Sequence, residues 1–330
     1  MAENMELKRI GIHQSKKHGF PVKQEFVDKV RAVAPGAAIY VGTIEEIAAQ
    51  TDDLDVIVAM PDAFEGASLD FLMRCPNLKW IQSWLSGVDA IMASDAIKIE
   101  GVRVSAVRGA HASAISHHVI GFIYYYLRCF PQLFEARNKR DWHLGKAAPL
   151  DEALSKTVGL VGLGNIGMEI ARKCHILGFR VLAIKRSPVE SEFVEHCYQI
   201  DQLDSFLAQC DYVVVICPLT PESRGMFGKH QFEVMKKDAV IINVARGAII
   251  KEDELIDALD CGEIAGAALD AFCDEPLLPD SPFWEHEKVI LSFHQAATSP
   301  LTKDRVNDVI LDNLTRYQEG RPLLFEEVLK

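Results

Sequence analysis

No two of the eight cysteines stand at C-x-x-C spacing, which removes the usual signatures of a disulfide frame and of a zinc site. Several, Cys217 among them, sit inside apolar runs, so they are expected to be reduced, buried thiols of a cytoplasmic protein. Long apolar runs are missing as well. The longest, such as residues 119–126 and 239–244, fall well short of the roughly 20 residues that cross a bilayer. The start of the chain, with Glu3, Glu6, Lys8 and Arg9, lacks the apolar core of a secretory signal. Basic charge is also scarce: 35 Lys and Arg face 47 Asp and Glu, a formal charge of −12. That balance argues against a nucleic-acid partner, and it requires any anionic ligand to find a local cationic site.

With 330 residues, 49% of them hydrophobic, the chain is long enough for two cores. Its first hundred residues alternate short apolar strands (9–13, 37–41, 56–60, 78–82 and 102–107) with helical segments (23–33, 44–49 and 87–93). A long apolar helix over 112–128 follows, and then a charged, aromatic arm through Asp141, Trp142 and His143. Strands resume at 157–161, 180–184, 212–216, 239–243, 265–270 and 289–292, and a last helix over 301–319 stops at Gly320 with Pro322 beyond it. This alternation predicts two α/β lobes built on parallel sheets.

Residues 159–167 read Gly-Leu-Val-Gly-Leu-Gly-Asn-Ile-Gly, giving G-x-G-x-x-G at Gly162, Gly164 and Gly167. A buried strand precedes it and a helical pattern with Ile170, Ala171, Cys174 and Leu177 follows. In that context the glycines predict a dinucleotide loop, where the chain turns sharply and a helix start faces a pyrophosphate. The next strand should end at the residue that reads the adenosine ribose. An NAD site usually places a carboxylate there. This chain has Lys185, Arg186 and Ser187, two cations and a hydroxyl suited to a 2′-phosphate, so NADP(H) is favoured and NAD(H) stands as the alternative.

Three later loops carry the groups that carbonyl reduction needs. Arg246 follows a buried strand in Asn243-Val244-Ala245-Arg246-Gly247, where a doubly wound sheet binds ligands and a guanidinium fork can grip a carboxylate. Asp270-Ala271-Phe272-Cys273-Asp274-Glu275-Pro276 is an acidic loop closed by proline. His294 ends an apolar strand in Ser292-Phe293-His294-Gln295-Ala296-Ala297. A ketone that accepts hydride also needs a proton near neutral pH, and a histidine oriented by a carboxylate supplies one.

These stretches, with Gly178 and the segment Pro218-Leu219-Thr220-Pro221-Glu222-Ser223-Arg224-Gly225, make the chain resemble the D-isomer-specific 2-hydroxyacid dehydrogenases, in their glyoxylate/hydroxypyruvate reductase-like, NADP-type form, along nearly its whole length. The resemblance implies a Rossmann nucleotide-binding domain (106–298) inserted into a flavodoxin-like substrate-binding domain (1–105 and 299–330), hinged near Ser105 and Ser299. It implies catalysis by Arg246, Glu275 and His294 on a small 2-oxo acid, with the backbone amides of Ser86 and Gly87 holding the carboxylate. Gly162, Gly164, Asn165, Ile166, Gly167, Lys185, Arg186, Ser187, Pro218, Thr220, Ala245 and Asp270 would contact the cofactor, and no metal would take part. The helix and arm around 112–150 would form a homodimer, with Trp142 reaching the partner's active site.

The chain departs from the family pattern at Phe293, where Pro is usual, at Gln295-Ala296-Ala297 after the histidine, and at His117, where Glu is common. The adjacent pair His117 and His118 points in two directions on a helix, which suggests packing and interface chemistry. Two other activities fit the same scaffold: a nucleotide-sensing corepressor with little turnover, and a phosphite-type dehydrogenase. The ribose-end residues yield a direct test. kcat/KM for a 2-oxo acid should be higher with NADPH than with NADH, and a clear NADH preference would contradict the reading of Lys185, Arg186 and Ser187.

Overall fold

The computed structural model describes residues 7–17 and 21–327; Glu3 and Glu6 lie outside them. The chain forms two compact units, residues 1–110 with 299–330, and residues 111–298. Among the described residues no helix is long and apolar enough to cross a membrane.

Among the described residues the first unit holds five parallel strands: β1 (Arg9–His13), β2 (Ala38–Gly42), β3 (Val56–Ala59), β4 (Trp80–Ser83) and β5 (Arg103–Ser105). They run in the order β2-β1-β3-β4-β5, the flavodoxin-like arrangement. Their period-two side chains feed two apolar layers, which is why the strands are hydrophobic at nearly every position. Ile10, Ile12, Val56, Val58 and Trp80 pack with Phe26 and Val30 of helix Gln24–Val33 and with Val306, Ile310 and Leu314 of helix Pro300–Gln318. Ile57, Ala59 and Ile81 pack on the opposite face with Ile44, Ile47, Phe71 and Leu72. Phe71 and Leu72 belong to helix Gly66–Arg74, which the pattern of the sequence did not reveal.

The terminal helix closes this unit through a buried polar network. Trp80 Nε1 donates to Ser105 Oγ (2.8 Å), and Ser105 Oγ donates to Gln82 Oε1 (2.7 Å). Asn313 Nδ2 donates to the same Gln82 oxygen (2.8 Å), while Asn313 Oδ1 accepts the N–H of Leu324 (2.6 Å). Ser105 is fully buried in β5. The crossing to the second unit falls after Ala110, because Ala106 N–H and Val107 N–H still donate to the carbonyls of Phe325 and Leu85.

The second unit holds seven parallel strands: β6 (Thr157–Val161), β7 (Arg180–Ile184), β8 (His196–Tyr198), β9 (Tyr212–Val215), β10 (Val240–Asn243), β11 (Gly266–Leu269) and β12 (Val289–Leu291). Their order, β12-β11-β10-β9-β6-β7-β8, is the doubly wound Rossmann order extended by one strand. The order reverses between β6 and β9, and the carboxyl ends of those strands form the crevice where such sheets bind ligands. Helices Ala112–Leu127 and Asn165–Ile176 cover one face, and helix Glu252–Asp260 with its neighbours covers the other. The expected arm is two helices, Phe130–Lys139 and Trp142–Lys146.

The buried network predicts a large stability effect at one position. Asn313→Ala takes both the Leu324 N–H and the Leu324 carbonyl off their side-chain partner and removes one of two donors from Gln82 Oε1, and a buried polar group left unsatisfied costs about 1–3 kcal/mol. Urea unfolding of the protein should show a loss of about 2–4 kcal/mol in the transition of the first unit. A loss below about 0.5 kcal/mol, ordinary for a surface change, would show that the network does not hold the terminal helix.

Candidate active site

The three glycines of the loop after β6 each answer a different steric demand. Gly162 has φ +111°, a backbone state favouring glycine, and a Cβ there would lie 3.0 Å from the backbone nitrogen of Cys217 at the end of β9. Gly167 carries the helix against that turn: its Cβ would meet the Gly162 carbonyl oxygen at 2.5 Å. Gly164 instead faces open space, and a Cβ there would have nothing within 4 Å. It is the N-cap of helix Asn165–Ile176 and no side chain bonds the cap, so the first helical N–H groups are left for an anion. A tight turn, an open approach and a close helix–strand contact are what a dinucleotide pyrophosphate requires, and the loop fits that group.

The ribose end lies after β7. Lys185 N–H donates to Tyr198 O (3.1 Å), which fixes the turn, while Arg186 and Ser187 are exposed. Arg186 stands near Glu222, whose carboxyl is held below its ordinary pKa by the Thr220 hydroxyl first, then by its own N–H and the Arg186 charge. Pro218 and Thr220 shape the loop after β9. Its organiser is Ser223, which is 5% exposed: the hydroxyl donates to Pro218 O (2.8 Å) and accepts Thr220 N–H (2.7 Å). Ser223 was legible only as part of a motif, without this role.

Arg246, Glu275 and His294 meet at the carboxyl ends of β10, β11 and β12. Asn243, at the end of β10, braces the arginine loop: its Oδ1 accepts Ala245 N–H (3.0 Å) and its Nδ2 donates to Arg246 O (3.0 Å). The Arg246 guanidinium donates back to Ala245 O (2.8 Å). Gly247 permits the next contact, because a Cβ there would sit 1.9 Å from the Phe272 carbonyl carbon. The loop bearing Glu275 therefore lies directly on the loop bearing Arg246.

Glu275 Oε2 bonds His294 Nδ1 at 2.6 Å, and Glu275 Oε1 accepts Phe272 N–H at 3.0 Å. The bond to Glu275 lifts the His294 imidazole above its ordinary pKa, against burial, which lowers it; the Glu275 charge adds to the rise and the Arg246 charge opposes it. Burial pushes the Glu275 carboxyl up, but the bonds from His294 and Phe272 N–H and the charges of His294 and Arg246 hold it below its ordinary value. With Nδ1 occupied, His294 has Nε2 left for another group, and that nitrogen carries a proton when the ring is charged.

His294 has φ +54°, a left-handed state that costs a non-glycine residue about 1–2 kcal/mol. Asp270 supports it. The Asp270 carbonyl accepts His294 N–H (2.8 Å), and its carboxylate, 3% exposed, accepts Ser292 Oγ–H (2.5 Å), Gln295 N–H (2.9 Å) and Ala296 N–H (3.0 Å). Asp270, expected at the nicotinamide, is seen here as the anchor of the histidine loop. The unusual Phe293 stacks on Trp284, ring centroids 5.7 Å apart. Of the two adjacent histidines, His117 Nε2 lies 3.0 Å from Lys173 Nζ and His118 Nε2 lies 2.8 Å from Ser292 Oγ. Both contacts are inside the second unit, in keeping with the packing role expected of the pair. In the first unit, Ser86 and Gly87 follow β4, where the Ser86 hydroxyl donates to Val107 O.

Residues 120–296 match the family described as D-isomer specific 2-hydroxyacid dehydrogenase, NAD binding domain. The chain is 29% identical over 304 residues to D-3-phosphoglycerate dehydrogenase of Archaeoglobus fulgidus, an alignment covering 92% of this chain but only 57% of that longer relative. It is 32% identical over 252 residues to the mouse (Mus musculus) glyoxylate reductase/hydroxypyruvate reductase, covering 75% of this chain and 76% of the relative. Among solved structures, the NADPH-dependent glyoxylate/hydroxypyruvate reductase of Sinorhizobium meliloti, in complex with NADP and sulfate, superposes with a TM-score of 0.81 at 27% identity, over 97% of this chain and 98% of that one. With the glycine loop and the Arg246, Glu275 and His294 cluster on a Rossmann sheet, the chain belongs to the D-isomer specific 2-hydroxyacid dehydrogenase family of NAD(P)-dependent oxidoreductases.

Proposed function

We propose that this protein is a cytoplasmic, homodimeric reductase that converts a small 2-oxo acid, such as glyoxylate or hydroxypyruvate, into the D-2-hydroxy acid, with NADPH preferred. The observation that carries the reading is the 2.6 Å bond between His294 Nδ1 and Glu275, within electrostatic range of Arg246. One cluster thus holds a proton donor with a raised pKa and a cationic fork for a carboxylate.

The reduced nicotinamide supplies the hydride when bound at the β6–β9 crevice. Arg246 orients the 2-oxo acid through its carboxylate and steadies negative charge growing on the carbonyl oxygen. His294 delivers its Nε2 proton to that oxygen, and Glu275 remains ionised, fixing the ring and favouring the imidazolium before transfer. Gly162, Gly164, Asn165, Ile166 and Gly167 take the pyrophosphate, and the loops of Pro218, Thr220 and Ala245 take the nicotinamide half, with Asp270 acting through the loop it anchors. NADPH preference rests on Lys185, Arg186 and Ser187, and the Sinorhizobium relative is described as NADPH-dependent. The dimer rests on the apolar face of the two arm helices, where Phe134 is 46% and Trp142 79% exposed.

His294→Ala should lower kcat roughly 10²–10⁴-fold, the usual worth of a general acid, with little change in NADPH affinity. Near-normal turnover would remove His294 from the role. The sign of the pH dependence also follows. Reduction needs charged His294, so its rate should fall as pH rises through a pKa above the ordinary histidine value. Glu275→Gln removes the interaction that raises that pKa, so the falling limb should move to lower pH. A limb that stays in place or moves up would contradict the pairing, provided proton transfer limits the rate.

A further inference from the structure

The catalytic cluster accounts for the side chain of His294 but not for what holds its backbone. The left-handed conformation of His294 (φ +54°) depends on the two N–H groups that follow it, those of Gln295 and Ala296, both bonded to the Asp270 carboxylate. That carboxylate takes a third bond from Ser292 Oγ at 2.5 Å, and Ser292 Oγ is in turn 2.8 Å from His118 Nε2. Counting protons orders the chain. An ionised carboxylate only accepts, so the single hydroxyl proton of Ser292 goes to Asp270. The hydroxyl oxygen must then accept, and His118 must be the donor through Nε2–H.

We propose that His118 is a positioning residue for the reduction: from helix Ala112–Leu127 it donates to Ser292, fixes the Ser292 proton on Asp270, and so holds the left-handed turn that aims His294. The imidazole is kept in place by an edge contact with Phe122 one turn along the same helix, ring centroids 4.5 Å apart. Burial lowers the His118 pKa against the opposing effect of the Asp270 charge, which favours the neutral ring, and the neutral Nε2–H tautomer suffices for the bond. The helix that carries His118 is itself tied to the sheet, since Tyr126 Oη donates to Ala267 O (2.7 Å). The donor is thereby set against β11 and β12, the strands that lead into Asp270 and Ser292. Sequence separation explains why no motif shows this: His118 and Ser292 are 174 residues apart.

The proposal rests on the reductase reading for its kinetic test but not for its structural one. His118→Phe keeps a ring and removes the donor; His118→Gln loses the ring and keeps an N–H. Reduction of glyoxylate with NADPH should fall about ten- to a hundredfold in kcat for His118→Phe, the scale of a small misplacement of a catalytic group, with NADPH Kd nearly unchanged. His118→Gln should recover most of the loss, whereas a packing role would make Phe the benign change. Ser292→Ala should resemble His118→Phe, and the double variant should be no worse than either single one. Amide hydrogen exchange at Gln295 and Ala296, followed without substrate, should quicken about tenfold in His118→Phe and stay near wild type in His118→Gln. Unchanged kcat and exchange in His118→Phe, or additive losses in the double variant, would overturn the positioning role. If the wild-type protein turns over no 2-oxo acid, the reductase reading fails while the exchange measurement still decides the role of His118.

Discussion

The 2.6 Å bond between His294 Nδ1 and Glu275 Oε2 is the contact around which the second unit is arranged. It sets the tautomer of the imidazole, leaves Nε2 for chemistry, and raises the pKa of a ring that burial would otherwise lower. Neither partner reaches that position alone. Glu275 is placed by a loop that lies on Gly247, where no side chain fits, and by Phe272 N–H. His294 is placed by a left-handed turn that three acceptor bonds of the Asp270 carboxylate stabilise. The sheet brings these loops together because β10, β11 and β12 are parallel neighbours, so their carboxyl ends open on one side.

The cofactor half of the unit follows the same geometric logic with different means. At the reversal of strand order between β6 and β9, bulk is removed instead of added: Gly162 and Gly167 let the helix close onto the strand ends, and Gly164 leaves the approach open. The chain as a whole is acidic, at −12, so anion recognition has to be local. In the proposed reading, helix N–H groups serve one end of such a ligand, Lys185 and Arg186 the other, and Arg246 an acid substrate.

Much of this was legible in the sequence because it is written in short-range patterns. The glycine loop, the apolar strands and the Arg246, Glu275 and His294 loops each occupy a few consecutive residues, and their strands lie within about two residues of the expected positions, the ordinary uncertainty of an element's end. Helix Gly66–Arg74 escaped because it opens on Gly-Ala-Ser and buries only Phe71 and Leu72, too few apolar residues for a clear period. The edge strand His196–Tyr198 escaped for a similar reason, being three residues long and only partly buried. The crossing expected near Ser105 falls after Ala110, and the Ser105 hydroxyl is committed to Trp80 and Gln82 inside the first unit. Ser223 and His118 were visible as residues yet not as roles, since side-chain hydrogen bonds leave no periodic trace. The resemblance to a family supplied the inserted-domain plan, which chain order alone does not suggest.

The central claim is that this cluster performs reduction and is not merely a retained binding site. The most direct measurement mixes purified protein with NADPH and a panel of short and bulky 2-oxo acids, following NADPH consumption and the configuration of the product. The account predicts consumption matched one to one by a D-2-hydroxy acid, fastest with the small substrates. Tight NADPH binding with no turnover of any 2-oxo acid would contradict it.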